Sequence, residues 1–178
     1  MSPSPPGVPV RRALPEDAVP IERIRTGGWR SAYRGLVPDG VLDGLEPQPE
    51  RRTAQLDDPG STDLVATVDG RAAGWLSYGP ARDGDAPDGA QEVYACYVDP
   101  DAWRGGVGSA LMRAALPDLD GAPALLWVLK GNERAIAFYS AFGFVPDGAE
   151  RALERLNVSP GQGVCEVRCH RDPEGRPR

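Results

Sequence analysis

The stretch VDPDAWRGGVGSALM, residues 98–112, is the first place where the sequence suggests chemistry. A strand-like run ends, glycines follow at 105, 106 and 108, and an apolar helical pattern begins. Such a turn exposes backbone N–H groups at a helix N-terminus, where the macrodipole favours an anion. Glycine carries no Cβ, so a phosphate can approach the backbone closely. The chemistry implied is phosphate or pyrophosphate binding. Two familiar nucleotide motifs do not fit. A P-loop needs a Lys in GxxxxGK[ST], and none follows here; a GxGxxG fingerprint laid on Gly106 and Gly108 needs a third glycine where Leu111 stands. A plain Gly-rich turn in a Gly-rich chain is the other reading of these residues.

Further residues have chemically useful types and spacings. Asn132 sits at the start of the helical pattern NERAIAFYSAFG, a favoured N-cap position. Tyr139 comes seven residues later, about two turns on, so both project from one side of that helix. Strand alternation over 91–98 puts Glu92, Tyr94, Cys96 and Val98 on one face. Trp29 and Tyr33 are four apart on a helical stretch and share a face. Trp75 and Tyr78 fall on opposite faces of their strand, so at most one of them can line a pocket. Cys165 and Cys169 share a strand face, but no recurring Cys pair has zinc-site spacing, and no metal is expected. A catalytic triad has no support, since the one His, at 170, lies beside the C-terminal tail and no GxSxG elbow occurs.

The elements that must position these residues follow from periodicity. A short strand is expected around Val8–Arg12, then a helix from LPEDAVPIERI, with acids in its first turn. GGWRSAYRGLVPDGVLDGL continues in helical pieces, and residues 46–60 fit a helix or a loop. DLVATV, Asp69-Gly70 and RAAGWLSYG form a strand, a two-residue turn and a strand. QEVYACYVDP is a third strand, VGSALMRAAL a helix, and APALLWVLK a buried strand suited to parallel pairing. NERAIAFYSAFG is a helix ended by Gly143, FVPDGAERALERL is ambiguous, and GVCEVRCH is a last strand. Antiparallel strands come first and a strand-helix-strand crossover follows, which makes the chain a mixed α/β (α+β) layer.

Composition sets the bounds. With 178 residues, one domain is expected at 8–170, between a disordered Pro/Ser-rich tail at 1–7 and a flexible tail at 171–178. The net charge of −6 is opposite to the basic excess expected of a nucleic-acid binder. The longest uncharged run, residues 135–146, is too short for a membrane span of roughly 20 residues. The N-terminus lacks the basic start and apolar stretch of a secretory signal. Three cysteines, an odd number, argue against a disulfide framework and for a reduced, cytoplasmic setting.

Taken together, VDPDAWRGGVGSALM, WVLKGNERAIAFYSAFGF and GGWRSAYRGLVPDGVLDGL resemble, in the right order, three motifs of the GNAT superfamily of acetyl-CoA-dependent N-acetyltransferases. The resemblance spans about residues 8–169. It implies a central, mostly antiparallel mixed sheet of about six or seven strands, helices on both faces, and strands 4 and 5 splayed for CoA. It implies acetyl-CoA as co-substrate, a primary amine of a small molecule or protein as acceptor, direct transfer without an acyl-enzyme, and the possibility of a homodimer. A non-catalytic module that binds an acyl-CoA as a sensor has the same outline. One departure concerns the turn: where the family has Gln or Arg, this chain has Trp103, with the arginine one place later at Arg104.

The resemblance also assigns roles. Arg104, Gly105, Gly106, Val107, Gly108 and Ser109 would hold the pyrophosphate. Tyr97, Val98 and Asn132 would lie along the pantetheine arm. Tyr139 would point at the CoA sulfur and protonate the leaving thiolate; packing beside Phe138 and Phe142 is its alternative. Glu92 would remove a proton from the amine, directly or through water; a solvated carboxylate at a strand start is its alternative. Trp29, Tyr33 and Tyr94 would line the acceptor pocket. The acidic loop with Asp83, Asp85 and Asp88 would suit a cationic amine.

Overall fold

A computed structural model describes residues 7–153 and 163–173. Seven strands form one sheet in the order β1-β2-β3-β4-β5-β7-β6. They are β1 (Val10–Arg12), β2 (Thr62–Val68), β3 (Arg71–Pro80), β4 (Gln91–Val98), β5 (Ala124–Leu129), β6 (Val145–Ala152) and β7 (Cys165–Arg171). All neighbours are antiparallel except β4 and β5. The helices are α1 (Ala18–Ala32), α2 (Asp39–Asp43), α3 (Pro49–Leu56), α4 (Val107–Leu119) and α5 (Glu133–Ser140). The expected mixed layer is therefore present. The segment 46–60 contains a helix, and the ambiguous FVPDGAERALERL becomes strand β6 from Val145; its residues 154–156 lie outside the described residues.

Helices cover both faces, as the strand alternation requires. On one face Val107, Leu111, Met112 and Ala115 of α4 pack on Leu76, Val93 and Leu126. On the other, Ile21 of α1 packs on Val65 and Trp75, while Val37 and Leu42 close over Leu129. Gly74 lets α4 approach β3: a Cβ there would stand 2.6 Å from Val107 Cγ1 and 2.9 Å from Leu111 Cδ1.

Two boundaries differ from the sequence expectation. The flexible tail does not begin at 171. Arg171 ends β7 buried, donates Nε to the carbonyl of Phe142 at 2.8 Å and pairs with Asp120 at 2.6 Å. Residues 1–6 and 174–178 lie outside the described residues. The second difference is a β-bulge in β4. Ser77 pairs with Ala95 but Tyr78 pairs with Val93, so Tyr94 is an extra residue. Strict alternation therefore fails across it: Val93 shares the α4 face with Cys96 and Val98, and Glu92 faces the other way.

Helix α1 is tied to α3 through one buried carboxylate. Glu22, 2% exposed, takes Arg25 at 2.8 Å, Arg52 at 2.8 Å and the backbone N–H of Gln48 at 2.9 Å. Burial raises its carboxyl, but the hydrogen bonds from Arg25, Gln48 and Arg52 outweigh it and the pKa ends below the ordinary value. Glu22→Ala strands two guanidiniums and is expected to cost ~3–5 kcal/mol. With the folded pKa depressed, this stabilisation is full above about pH 4.3 and is lost as pH falls through the lower folded value. Urea unfolding should show a wide gap between variant and wild type at pH 7 that narrows toward pH 3. Equal stabilities at pH 7 would refute this role for Glu22.

Candidate active site

Strands β4 and β5 pair only at Gln91–Ala124, Glu92–Leu125 and Val93–Leu126, and then part. The gap opens into a cleft of about 440 Å³, within the usual range for small-molecule sites. Its walls come from β4 residues Val93–Val98, from Trp127 and Val128 of β5, and from α1, α4 and α5.

One end is built for an anion. Asp99 caps a one-turn 3₁₀ helix, Pro100–Ala102, by accepting from the N–H of Asp101 at 3.1 Å. Arg104 and Gly106 follow with φ of 65° and 78°, in the left-handed region. Gly106 is the N-cap of α4, whose first helical bond runs from Ala110 N–H to Gly106 O at 2.9 Å. The N–H groups of Val107, Gly108 and Ser109 precede that bond and have no acceptor within the helix. All three residues line the cleft, as does Arg104. Gly105 is exposed and is not part of the lining. Its place in the turn is structural, since its N–H goes to Ala102 O at 3.2 Å.

Trp103, the departure at the turn, is also in the lining, together with Arg134, which was not anticipated. The Trp103 indole N–H donates to Val98 O at 3.0 Å. The Arg134 guanidinium, from the first turn of α5, lies 3.7 Å over its ring. Asn132 caps α5, its Oδ1 accepting from Ala135 N–H at 3.2 Å, and lines the cleft as well.

The centre of the cleft is neutral. Tyr139 is 9% exposed, and its hydroxyl neighbours the Cys96 thiol. Burial, then the neighbouring Cys96 and Tyr97, holds the Tyr139 phenol well above its ordinary value, so it keeps its proton at neutral pH. Burial likewise pushes the Cys96 thiol up to about 12. The Tyr97 hydroxyl accepts from Trp29 Nε1 at 2.8 Å and neighbours the Tyr33 hydroxyl. Tyr33, Tyr94, Tyr97 and Val98 line the cleft, whereas Trp29 sits behind them, packed edge-on to Tyr33 at 4.9 Å. Trp29 therefore acts on the cleft only through Tyr97 and Tyr33.

Glu92 is the clear correction. The bulge turns it away from Cys96, it is 2% exposed, and it is absent from the lining. Its oxygens take the backbone N–H of Arg82 at 3.0 Å, Nε at 3.3 Å and Nη2 at 3.0 Å. A carboxylate held this way outside the cleft is not placed to deprotonate an amine. Neither a carboxylate nor a histidine is present among the lining residues.

The sequence pattern of the acetyltransferase (GNAT) family matches residues 29–144, from α1 to the residue before β6. The chain belongs to this family. A mycothiol acetyltransferase of Mycolicibacterium vanbaalenii is 34% identical over 129 residues, covering 72% of this chain but only 39% of that protein. This GNAT chain thus spans about two fifths of that relative. A Mycobacterium tuberculosis protein described as a probable N-acetyltransferase is 28% identical over 161 residues, covering 86% of this chain and 91% of its own length. In fold, the PaiA N-acetyltransferase of Thermoplasma acidophilum in complex with coenzyme A superposes with a TM-score of 0.71 at 14% identity, over 93% of this chain and 99% of that one. At that identity the likeness is one of fold.

A thiol with a pKa of about 12 has on the order of one thiolate per 10⁴ molecules at pH 8. Iodoacetamide at pH 8 should therefore leave Cys96 unmodified in the folded GNAT domain and modify it readily in urea, as mass spectrometry of peptides would read. Rapid native labelling at Cys96 would contradict its protonated state.

Proposed function

We propose that the protein transfers an acetyl group from acetyl-CoA directly to a primary amine. The observation that carries this reading is the arrangement along one cleft: helix N–H groups with Arg104 and Arg134 at one end, and a neutral Tyr139–Cys96–Tyr97 centre where the strands part. The N–H groups of Val107, Gly108 and Ser109 suit a diphosphate, and Gly106 supplies the turn that points them there. The edge of β4 at Tyr97 and Val98, with Asn132 opposite, suits the amide-bearing pantetheine arm. Tyr33 and Tyr94, joined by Trp127, receive the acceptor. Family membership supports the donor, and the absence of any described helix long and apolar enough to cross a membrane is compatible with a soluble acceptor.

The reaction forms one C–N bond and breaks one C–S bond. The amine nitrogen attacks the thioester carbonyl carbon, and the tetrahedral adduct expels the CoA thiolate. One proton leaves nitrogen and one reaches sulfur. Tyr139 is protonated and can donate toward that sulfur. An exposed thiol of pKa about 8.5 would be a poor base for so weak an acid. The burial that raises Tyr139 also raises a thiol beside it, as Cys96 demonstrates. Donor and acceptor are thus shifted together, and proton transfer along the Tyr139 hydrogen bond stays feasible. Cys96 itself, protonated, is a poor nucleophile, which supports direct transfer.

The test is CoA-thiol release from acetyl-CoA across a panel of amines. Tyr139→Phe keeps the ring and its contacts with Phe138 and Phe144 but removes the donor. It should lower kcat and kcat/KM together by about 10²-fold or more, with acetyl-CoA binding retained. Equal kcat at equal melting temperature would end this role for Tyr139. Wild-type protein that binds CoA but releases no thiol with any amine would favour an acyl-CoA sensor.

With Glu92 outside the cleft, the amine must lose its proton to water before or during attack. The acidic limb of kcat/KM should then follow the pKa of the acceptor, rising about tenfold per pH unit below it. Two acceptors of different amine pKa should show limbs displaced by that difference. A limb fixed at one pH for both would reveal a base on the protein.

A further inference from the structure

Residues 82 and 83 span both lips of the cleft at the end away from the glycine turn. Arg82 lies 3.8 Å over the ring of Tyr94, on β4, and pairs with Glu92 at 3.0 Å. Asp83 turns to the other lip and accepts from Trp127 Nε1, on β5, at 2.9 Å. It also meets Arg151 at 3.5 Å and Arg168 at 3.3 Å. Arg151 in turn covers the Trp127 ring at 4.0 Å and bonds Glu166 at 2.8 Å. Each aromatic lip residue therefore carries a guanidinium on its face.

The charges in these pairs are unequally exposed. The Arg82 and Arg151 side chains are 62% and 38% exposed, whereas Glu92, Asp83 and Glu166 are 3%, 13% and 12% exposed. Glu92, Asp83 and Glu166 lie beneath, and the Arg82 and Arg151 guanidiniums face solvent. Asp85, 69% exposed, is bound to Arg168 at 2.7 Å. Glu92 engages Nε and Nη2 of Arg82, which leaves Nη1 outside those bonds. Glu166 and Asp83 engage Nε and Nη1 of Arg151, which leaves Nη2. The rim thus turns two guanidinium edges, Nη1 of Arg82 and Nη2 of Arg151, to solvent, although its carboxylates outnumber its arginines.

We propose that Arg82 and Arg151 form an anion-binding rim, and that the acceptor is an amine that also carries a carboxylate. The proposal rests on the acyl-transfer reading above. The amine would enter between Tyr94 and Trp127 while its carboxylate meets the two guanidiniums, whose planar donors match a carboxylate. This replaces the cationic acceptor that the acidic loop suggested. The loop's Asp83 and Asp85 spend their charge on Arg151 and Arg168 and do not face the cleft as free acids.

The test compares L-amino acids, from small to aromatic, with the same compounds as carboxamides, by thiol release from acetyl-CoA. Each rate is divided by the fraction of neutral amine at the assay pH, because amidation lowers the amine pKa. The acids should be favoured by at least about tenfold in kcat/KM, mostly through KM. Arg151→Gln and Arg82→Gln should reduce that preference to about threefold or less, the loss of a charge-assisted hydrogen bond. Arg82→Lys, which still neutralises the buried Glu92, should fall between. Amides used as well as acids by wild type would overturn the rim alone. So would Arg variants of wild-type melting temperature that slow both series equally. Failure of both series, in protein that acetylates other amines, would overturn the rim alone, and failure with every amine, in protein that binds acetyl-CoA, would overturn the amine-transfer reading and the rim with it.

Discussion

Two parallel strands that stop pairing after three residues leave backbone N–H and C=O groups facing a gap, and buried groups of that kind must find partners. Here each strand is held open from its far side. β4 is anchored along its length by β3, and β5 pairs with β7 from Ala124 to Leu129. The sheet behaves as two halves joined at Gln91–Val93, and helix α1 lies across the junction, reaching Ile21 into one core and Trp29 and Tyr33 into the other. Some of the exposed backbone is satisfied locally, Val98 O by the Trp103 indole at 3.0 Å. What remains faces the cleft. A ligand with an extended amide-bearing arm fits that strip as an added strand would.

Charge is sorted along the cleft. At the glycine turn, Arg104 and Arg134 have no carboxylate partner among the described residues, so their charge is directed at whatever enters. In the middle, burial raises Tyr33, Tyr97, Tyr139 and Cys96 alike and keeps all four neutral near pH 7. At the far rim, guanidiniums cover carboxylates. A neutral centre favours attack by a neutral amine, and fixed hydroxyl dipoles there can stabilise charge as it develops without reorganising. The depth of Tyr139 is thus a chemical property as well as a packing one.

How much of this was legible in the sequence depended on the range of the interactions. The glycine turn, the Asn132 cap and the pairing of Asn132 with Tyr139 are local patterns, and the cleft contains all of them. Trp29 was legible as a partner of Tyr33 but not as a residue one layer back, because that depends on Tyr97, 68 residues away. Glu92 was misread because period-2 counting assumes an unbroken ladder, and the extra residue at Tyr94 reverses the face. Only the opposing strand β3 reveals that bulge. The Arg82–Asp83 bridge was invisible for the same kind of reason: Asp83 and Trp127 are 44 residues apart, and nothing in an Asp-rich loop marks which acid will reach an indole.

Trp103 brings the local and the long-range together. In the family pattern its position is Gln or Arg, and this chain has a tryptophan there. In the folded chain the indole N–H reaches back to the last carbonyl of β4 and fixes the ring at the cleft mouth. The ring then carries the Arg134 guanidinium at 3.7 Å, a contact that itself contributes roughly 0.5–1 kcal/mol at such a site. A cation missing from the turn is therefore supplied in space by α5. Arg104 adds a second at φ 65°, a left-handed conformation that costs a non-glycine residue ~1–2 kcal/mol and is held by the turn around it. The motif departs from the pattern in its letters while keeping positive charge around the free N–H groups of α4. The physical requirement of that end of the cleft is charge at a place, and more than one residue order can meet it.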